Sequence, residues 1–135
     1  MILSENELLQ VCEAIQAELP KGGVVILQGD LASGKTTLVK RFAQYFDISE
    51  AVTSPTFSLQ QCYGDNLFHY DIYNHGLDHF IALGMLEELE REGYHLIEWG
   101  DDTLMQLLKG AGIAVVKVTI EKCEQNKRCY EVSDA

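Results

Sequence analysis

Apolar positions along the chain change their period several times, and each change predicts an element. Leu8, Val11, Cys12, Ile15 and Leu19 recur at helical spacing. Ser4-Glu-Asn-Glu7 ahead of them fits a capping box, in which a serine and a glutamate satisfy free N–H groups of the first turn. Pro20 and the pair Gly22-Gly23 end that helix. Gly23 to Leu27 is a short apolar run rich in β-branched residues, the pattern of a buried strand. Thr36 to Phe46 returns to the helical period, with Leu38, Val39, Phe42 and Phe46 on one stripe.

The second half alternates more quickly. Val52 to Ser58 and Leu59 to Tyr63 read as extended chain, and Gly64-Asp-Asn66 supplies turn chemistry. Leu67 to Tyr73 then predicts the second arm of a hairpin. Asp78 to Arg91 reads as a helix with Phe80, Ile81, Leu83, Leu86 and Leu89 apolar. A short strand, His95 to Trp99, and a short helix, Asp101 to Lys109, follow. Ile113 to Ile120 is a strand, and Arg128 to Val132 returns as the last one. Helices and strands interleave without repeats, low-complexity tracts or linkers. The expected architecture is an α/β fold, a three-layer sandwich around a mixed, mostly parallel central sheet. With 135 residues, residues 1–135 form a single domain.

Between the first strand and the second helix stand Gly29, Asp30, Leu31, Ala32, Ser33, Gly34, Lys35 and Thr36. They complete the G-x-x-x-x-G-K-[ST] pattern of a phosphate-binding P-loop, so the expected sandwich is P-loop NTPase-like. The glycines permit a backbone path that turns several N–H groups toward one anion. Lys35 can reach the β- and γ-phosphates, and the Thr36 hydroxyl can join a Mg²⁺ shell. The following helix, opening with Thr36 and Thr37, adds the positive end of its dipole. Strand, loop and helix occur in the order that this motif requires. A nucleoside triphosphate with Mg²⁺ is the expected ligand.

Mg²⁺ takes oxygen ligands, commonly one or two carboxylates beside phosphates and waters. Such a carboxylate is expected where an apolar strand reaches the carboxyl edge of the sheet. Glu98 follows Leu96-Ile97, Asp71 lies within Phe68 to Ile72, and Glu121 follows Val118 to Ile120 as a third candidate. Ser54-Pro55-Thr56 places a threonine where a switch segment could sense the γ-phosphate. Trp99, the single tryptophan, precedes Gly100 and two aspartates, so a half-exposed position at the sheet edge is expected.

The net charge is −11, from 10 basic and 21 acidic residues. Tight, direct binding to bulk nucleic acid needs a basic footprint, which this balance argues against. The run Glu87 to Glu92 reads as a solvated helix face. No stretch of about 18 apolar residues marks a membrane span. The start of the chain lacks the basic and apolar pattern of a signal peptide, so a cytoplasmic protein without membrane contact is expected. Cys12, Cys62, Cys123 and Cys129 have no zinc spacing, and reduced thiols fit that compartment. Cys123 and Cys129 could still meet across the terminal hairpin.

Four motifs in this order and spacing resemble the bacterial TsaE (YjeE) family. They are Gly29-Asp-Leu-Ala-Ser-Gly-Lys-Thr-Thr37, Ser54-Pro-Thr-Phe57, His69-Tyr-Asp-Ile-Tyr73 and Ile97-Glu-Trp99. The resemblance spans roughly residues 24 to 100. It implies a small ATPase needed for threonylcarbamoyladenosine in tRNAs that read codons starting with A. It also implies TsaD, which transfers the threonylcarbamoyl group, and TsaB as partners, with tRNA met only through that assembly. Carried over by motif, Lys35 binds phosphate and Thr36 ligates Mg²⁺. Glu98 is a second metal ligand or orients water, Asp71 completes the acidic site, Thr56 is the switch-like threonine and Trp99 the functional tryptophan. Gly29 to Thr37 with Trp99 form the nucleotide site. The catalytic set is then Glu98, Asp71, Thr56 and Lys35, and the metal set Thr36, Glu98 and Asp71.

This chain departs from the family at two places. Ala32-Ser33 stands where the family usually has Gly-Ala, and Asn74 where it has arginine. A small-molecule kinase is the first competing reading. Such enzymes need cations around the transferring phosphoryl group and usually a lid, whereas this chain has only Arg41, Arg91 and Arg128 as arginines. A non-catalytic, nucleotide-gated binding module is the second, and Glu98 with Asp71 favours hydrolysis over it. No N-K-x-D guanine signature is present, which favours adenine. The acidic surface predicts that the chain alone does not retard tRNA tightly at physiological salt. A strong, salt-sensitive gel shift with the isolated protein would contradict it.

Overall fold

The computed structural model describes residues 2–4, 7–29, 34–46, 60–63, 67–72, 81, 84–100, 102–123 and 127–133. Seven strands are described: β1 (Ile2–Ser4), β2 (Gly23–Gln28), β3 (Gln60–Tyr63), β4 (Leu67–Asp71), β5 (Tyr94–Glu98), β6 (Val115–Lys122) and β7 (Lys127–Ser133). Four helices accompany them: α1 (Leu9–Glu18), α2 (Lys35–Tyr45), α3 (Met85–Glu88) and α4 (Asp102–Gly110). The sheet order is β1-β7-β6-β2-β5-β4-β3. The central strands β6, β2, β5 and β4 run parallel. The three outer pairings, β1 with β7, β7 with β6 and β3 with β4, are antiparallel.

Side-chain alternation on the central strands divides the core into two layers. Val25, Leu27, Leu96, Val116, Val118 and Ile120 face Val11, Ile15, Leu38, Val39 and Phe42 of α1 and α2. Val24, Ile26, Ile97, Phe68 and Tyr70 face Leu89 and the Leu104, Met105 and Leu108 side of α4. Helices therefore cover both faces, as an α/β sandwich requires. β5 is buried along its whole length, because it lies between two parallel neighbours and beneath helices on both sides.

Several local expectations change. Ser4 does not cap a helix. Ile2–Ser4 instead pairs with Cys129, Arg128 and Lys127 of β7, which satisfies its backbone groups, while α1 opens at Leu9 without a side-chain cap. The expected helix from Asp78 to Arg91 is not continuous. Gly84 adopts φ 74, a left-handed conformation open to glycine at little cost, and it separates helical Ile81 from α3. Residues 78–80 and 82–83 of that stretch, and 52–59 of the expected first hairpin arm, lie outside the described residues. The hairpin itself forms between β3 and β4.

The cysteines also divide. The β6–β7 register puts Glu121 opposite Cys129, and Cys123 follows close by, with Cα atoms 5.7 Å apart. The two are joined as a disulfide, so the expectation of reduced thiols fails for this pair. Cys12 is buried in the α1 stripe, and burial pushes its thiol pKa up to about 11. Among the described residues, no helix is long and apolar enough to cross a membrane.

His95 marks the layer beneath α3. Its Nε2 donates to Arg91 O at 2.8 Å, and its Nδ1 accepts from the Tyr70 hydroxyl at 2.7 Å. Burial lowers its pKa below the ordinary histidine value; the Arg91 charge adds to this, against opposition from the Arg91 carbonyl and Glu88. The unfolded chain thus binds the proton more tightly than the folded one. The stability contributed by neutral His95 is full above the ordinary histidine pKa and is lost as pH falls below it. The urea midpoint should decline between pH 7 and 5.5, and His95→Gln should flatten that decline. An unchanged slope in the variant would exclude His95 as its source.

Candidate nucleotide site

The carboxyl ends of β2, β5 and β4 lie side by side, in register. Leu27 pairs with Glu98, and Glu98 with Asp71. The P-loop leaves β2 at this edge, so three adjacent strands deliver the loop and two carboxylates to one place. Gly34 stands at the N-terminus of α2 with φ 108, a left-handed conformation that suits glycine. Nothing lies within 4 Å of a Cβ added there, so the backbone angle rather than crowding favours glycine. The first turn of α2 then presents N–H groups that a helix leaves without intrahelical partners.

Lys35 is only 4% exposed. Its ammonium donates to Gly29 O at 2.7 Å and lies 3.9 Å from the centroid of the Trp99 ring. A carbonyl and the negative face of an indole thus fix the cation at the root of the loop. Trp99 is half-buried at the end of β5, as expected, but its backbone is unusual. It has φ 68, the one positive value at a non-glycine residue among those described. Its N–H bonds Leu27 O at 3.2 Å, and Gln28 Nε2 donates to Gly100 O at 3.2 Å. These bonds tie the turn after β5 to the end of β2.

The Thr36 hydroxyl donates toward both oxygens of Glu98, at 3.1 and 3.2 Å. Glu98 is 4% exposed, and its Oε2 also lies 2.5 Å from His69 Nε2. Position 69 is fully buried on β4, two residues before Asp71 and therefore on the same face. His69 opens the third of the four sequence motifs, where the pattern alone assigns it no role. The available signal was its alternation with Asp71 on a strand bordering that of Glu98.

The oxygens of Thr36 and Glu98 suit a hard cation. An octahedral ion with bonds of ~2.1 Å holds adjacent oxygens about 3 Å apart, close to their spacing here. Among the described residues no cluster of three or more His, Cys, Asp or Glu side chains forms a metal cage. Two protein oxygens beside phosphates and water are what Mg²⁺ commonly uses.

Of the other expected site residues, Asp71 is half-buried beside Glu98, and Thr37 is half-buried in the first turn of α2. Asp30, Leu31, Ala32, Ser33, Thr56 and Asn74 lie outside the described residues. The third candidate carboxylate, Glu121, does not join the site. It alternates with Val118 and Ile120, so it lies on the sheet face opposite α2, exposed beside Cys129 and Glu131. The arginines are engaged elsewhere: Arg41 with Gln44, Arg91 with Glu88 and the Phe68 ring, and Arg128 with Lys127 O.

Known proteins resemble this chain in sequence and in fold. A sequence model of the family described as threonylcarbamoyl adenosine biosynthesis protein TsaE matches residues 2–130. A Treponema pallidum protein named tRNA threonylcarbamoyladenosine biosynthesis protein TsaE is 41% identical over 92 residues, 66% of this chain and 68% of that protein. A Bacillus subtilis protein of the same name is 35% identical, over 72% of this chain and 63% of that protein. The chain thus spans about two thirds of the length of these two relatives. A Rickettsia conorii namesake is 31% identical over 96% of this chain and 74% of its own length. The crystal structure of Bacillus subtilis YdiB superposes with a TM-score of 0.68 at 24% identity, covering 100% of this chain and 86% of that one. This last likeness shows that the two chains share a fold.

The positive φ of Trp99 generates a stability prediction. Alanine at this position keeps the backbone strain while losing the ring, whereas glycine loses the ring and relieves the strain. Trp99→Gly should therefore be more stable than Trp99→Ala by roughly 1 kcal/mol in chemical denaturation. Equal midpoints would show that φ carries no strain here.

Proposed function

This chain belongs to the TsaE family, whose members act in tRNA threonylcarbamoyladenosine biosynthesis, and from that premise we propose that it is a Mg²⁺-dependent ATPase. Its hydrolysis supports turnover of a TsaD–TsaB transferase assembly in the cytoplasm, and tRNA is engaged only through that assembly. The observation that carries the reading is the Thr36–Glu98 contact beside Lys35, with the loop and both carboxylates on adjacent strand ends.

In this reading Lys35 and the first-turn N–H groups of α2 bind the β- and γ-phosphates of ATP. The residues from Gly29 to Thr37 enclose them, and Trp99 flanks the lysine. Thr36 and Glu98 hold Mg²⁺, with Asp71 completing the acidic side. Bound there, Mg²⁺ neutralises charge on the phosphate oxygens as it develops. Glu98 and Asp71 orient the attacking water, and Thr56 senses the γ-phosphate. Lys35 is the cation that the described residues bring to the site, since Arg41, Arg91 and Arg128 are held elsewhere. Phosphoryl transfer without a second cation is slow, so turnover rises when a partner completes the site. The same charge distribution weighs against a small-molecule kinase.

Mg²⁺–ATP at a hundredfold excess over Kd should stabilise the protein by about 2.7 kcal/mol. Lys35→Ala should lose that stabilisation, which a thermal melt with and without nucleotide measures. Glu98→Ala should reduce phosphate release far more than ATP binding. Equal stabilisation of wild type and Lys35→Ala would count against the site. Unchanged hydrolysis with collapsed affinity in Glu98→Ala would remove its assigned role. Reconstitution with TsaD and TsaB, scored by tRNA modification, tests the pathway assignment.

A further inference from the structure

We propose that His69 is a positioning residue for Glu98, with Tyr63 holding the histidine ring in the required tautomer. The proposal rests on the Mg²⁺–nucleotide reading of Thr36 and Glu98. A continuous polar chain crosses the layer of the sheet beneath α2. The Tyr63 hydroxyl on β3 lies 3.4 Å from His69 Nδ1 on β4. His69 Nε2 lies 2.5 Å from Glu98 Oε2 on β5, and Glu98 accepts from Thr36 on α2. Four neighbouring elements are thereby joined through side chains alone.

The direction of each bond follows from the chemistry. A carboxylate only accepts, so Nε2 carries a hydrogen and donates to Oε2; with the single ring hydrogen placed there, Nδ1 accepts from the tyrosine hydroxyl. A fixed donor on Oε2 restrains rotation of the carboxylate and leaves Oε1 turned toward Thr36 and the cation. This is the arrangement by which an outer hydrogen bond orients a metal-binding side chain.

His95 supplies an internal contrast. It too is fully buried and bonded to a tyrosine, Tyr70, at Nδ1. Its other nitrogen, however, ends on a backbone carbonyl, Arg91 O, on the opposite face of the sheet. That histidine closes a structural network. His69 ends on the carboxylate of the candidate site.

The test compares wild type, His69→Leu, His69→Gln, His69→Asn and Tyr63→Phe. The readouts are the Mg²⁺ concentration giving half-maximal ATP-dependent thermal stabilisation, and kcat and KM for ATP. Glutamine places an amide donor near the position of Nε2, whereas asparagine falls short. His69→Leu and His69→Asn should raise the Mg²⁺ midpoint about ten- to a hundredfold and lower kcat, with KM at saturating Mg²⁺ little changed. His69→Gln should recover most of both, and Tyr63→Phe should show a smaller loss in the same direction. If the leucine variant does not fold, the glutamine–asparagine pair decides.

Mg²⁺ midpoints equal to wild type in every folded variant overturn the proposal. So does an equal loss in glutamine and asparagine, which a purely structural histidine would produce. Wild type that gains no Mg²⁺-dependent stabilisation from ATP defeats the nucleotide reading itself, and His69's role with it. Wild type that binds Mg²⁺–ATP without hydrolysing it leaves the Mg²⁺ midpoints to decide.

Discussion

A buried carboxylate at the end of the middle strand is the constraint on which the rest of the site depends. Taking an ion of this kind out of water costs several kcal/mol, on the order of the stability of a whole small domain. Glu98 offsets that cost with bonds from Thr36 and His69, which come from different elements. The contact therefore requires α2, β4 and β5 to arrive together in one register. A shift of one residue in β4 would turn both His69 and Asp71 to the other face of the sheet.

The parallel centre of the sheet makes this arrangement possible. β2, β5 and β4 all end at the same edge, so short steps between neighbouring strands bring the loop, Glu98 and Asp71 side by side. Burial from both sides gives these strands apolar side chains on each face, and the few polar groups among them stand out. His69 and His95 are two such groups, one directed at the site and one closing the layer under α3. The antiparallel strands at the two ends extend the sheet without contributing a ligand among the described residues.

Much of the site was legible because it is local. The P-loop is one contiguous motif between a strand and a helix, and Glu98 and Asp71 follow apolar runs whose alternation fixes their face. Glu121 obeys the same pattern of sequence but lies on the wrong face, a distinction that needs the side on which α2 packs. Ser4 followed by Glu7 carries a genuine capping signal, yet Ile2–Ser4 pairs with Cys129, Arg128 and Lys127 at the far end of the chain, a pairing that no local window contains. Gly84 falls inside the helix expected from Asp78 to Arg91 and breaks it.

Most of the element types, the P-loop motif, the two strand-end carboxylates and the family are readable from residue order alone. Each depends on neighbours within a few residues or on a motif of fixed spacing. Tertiary packing is what brings His69 to Glu98, Lys35 to Trp99 and Cys123 to Cys129. The left-handed backbone of Trp99 likewise shows only in the folded chain. The reason is physical: side-chain period gives the face of a residue, but strand order and helix placement give its neighbour. Those depend on how two apolar layers close around one sheet, which is a property of the whole chain.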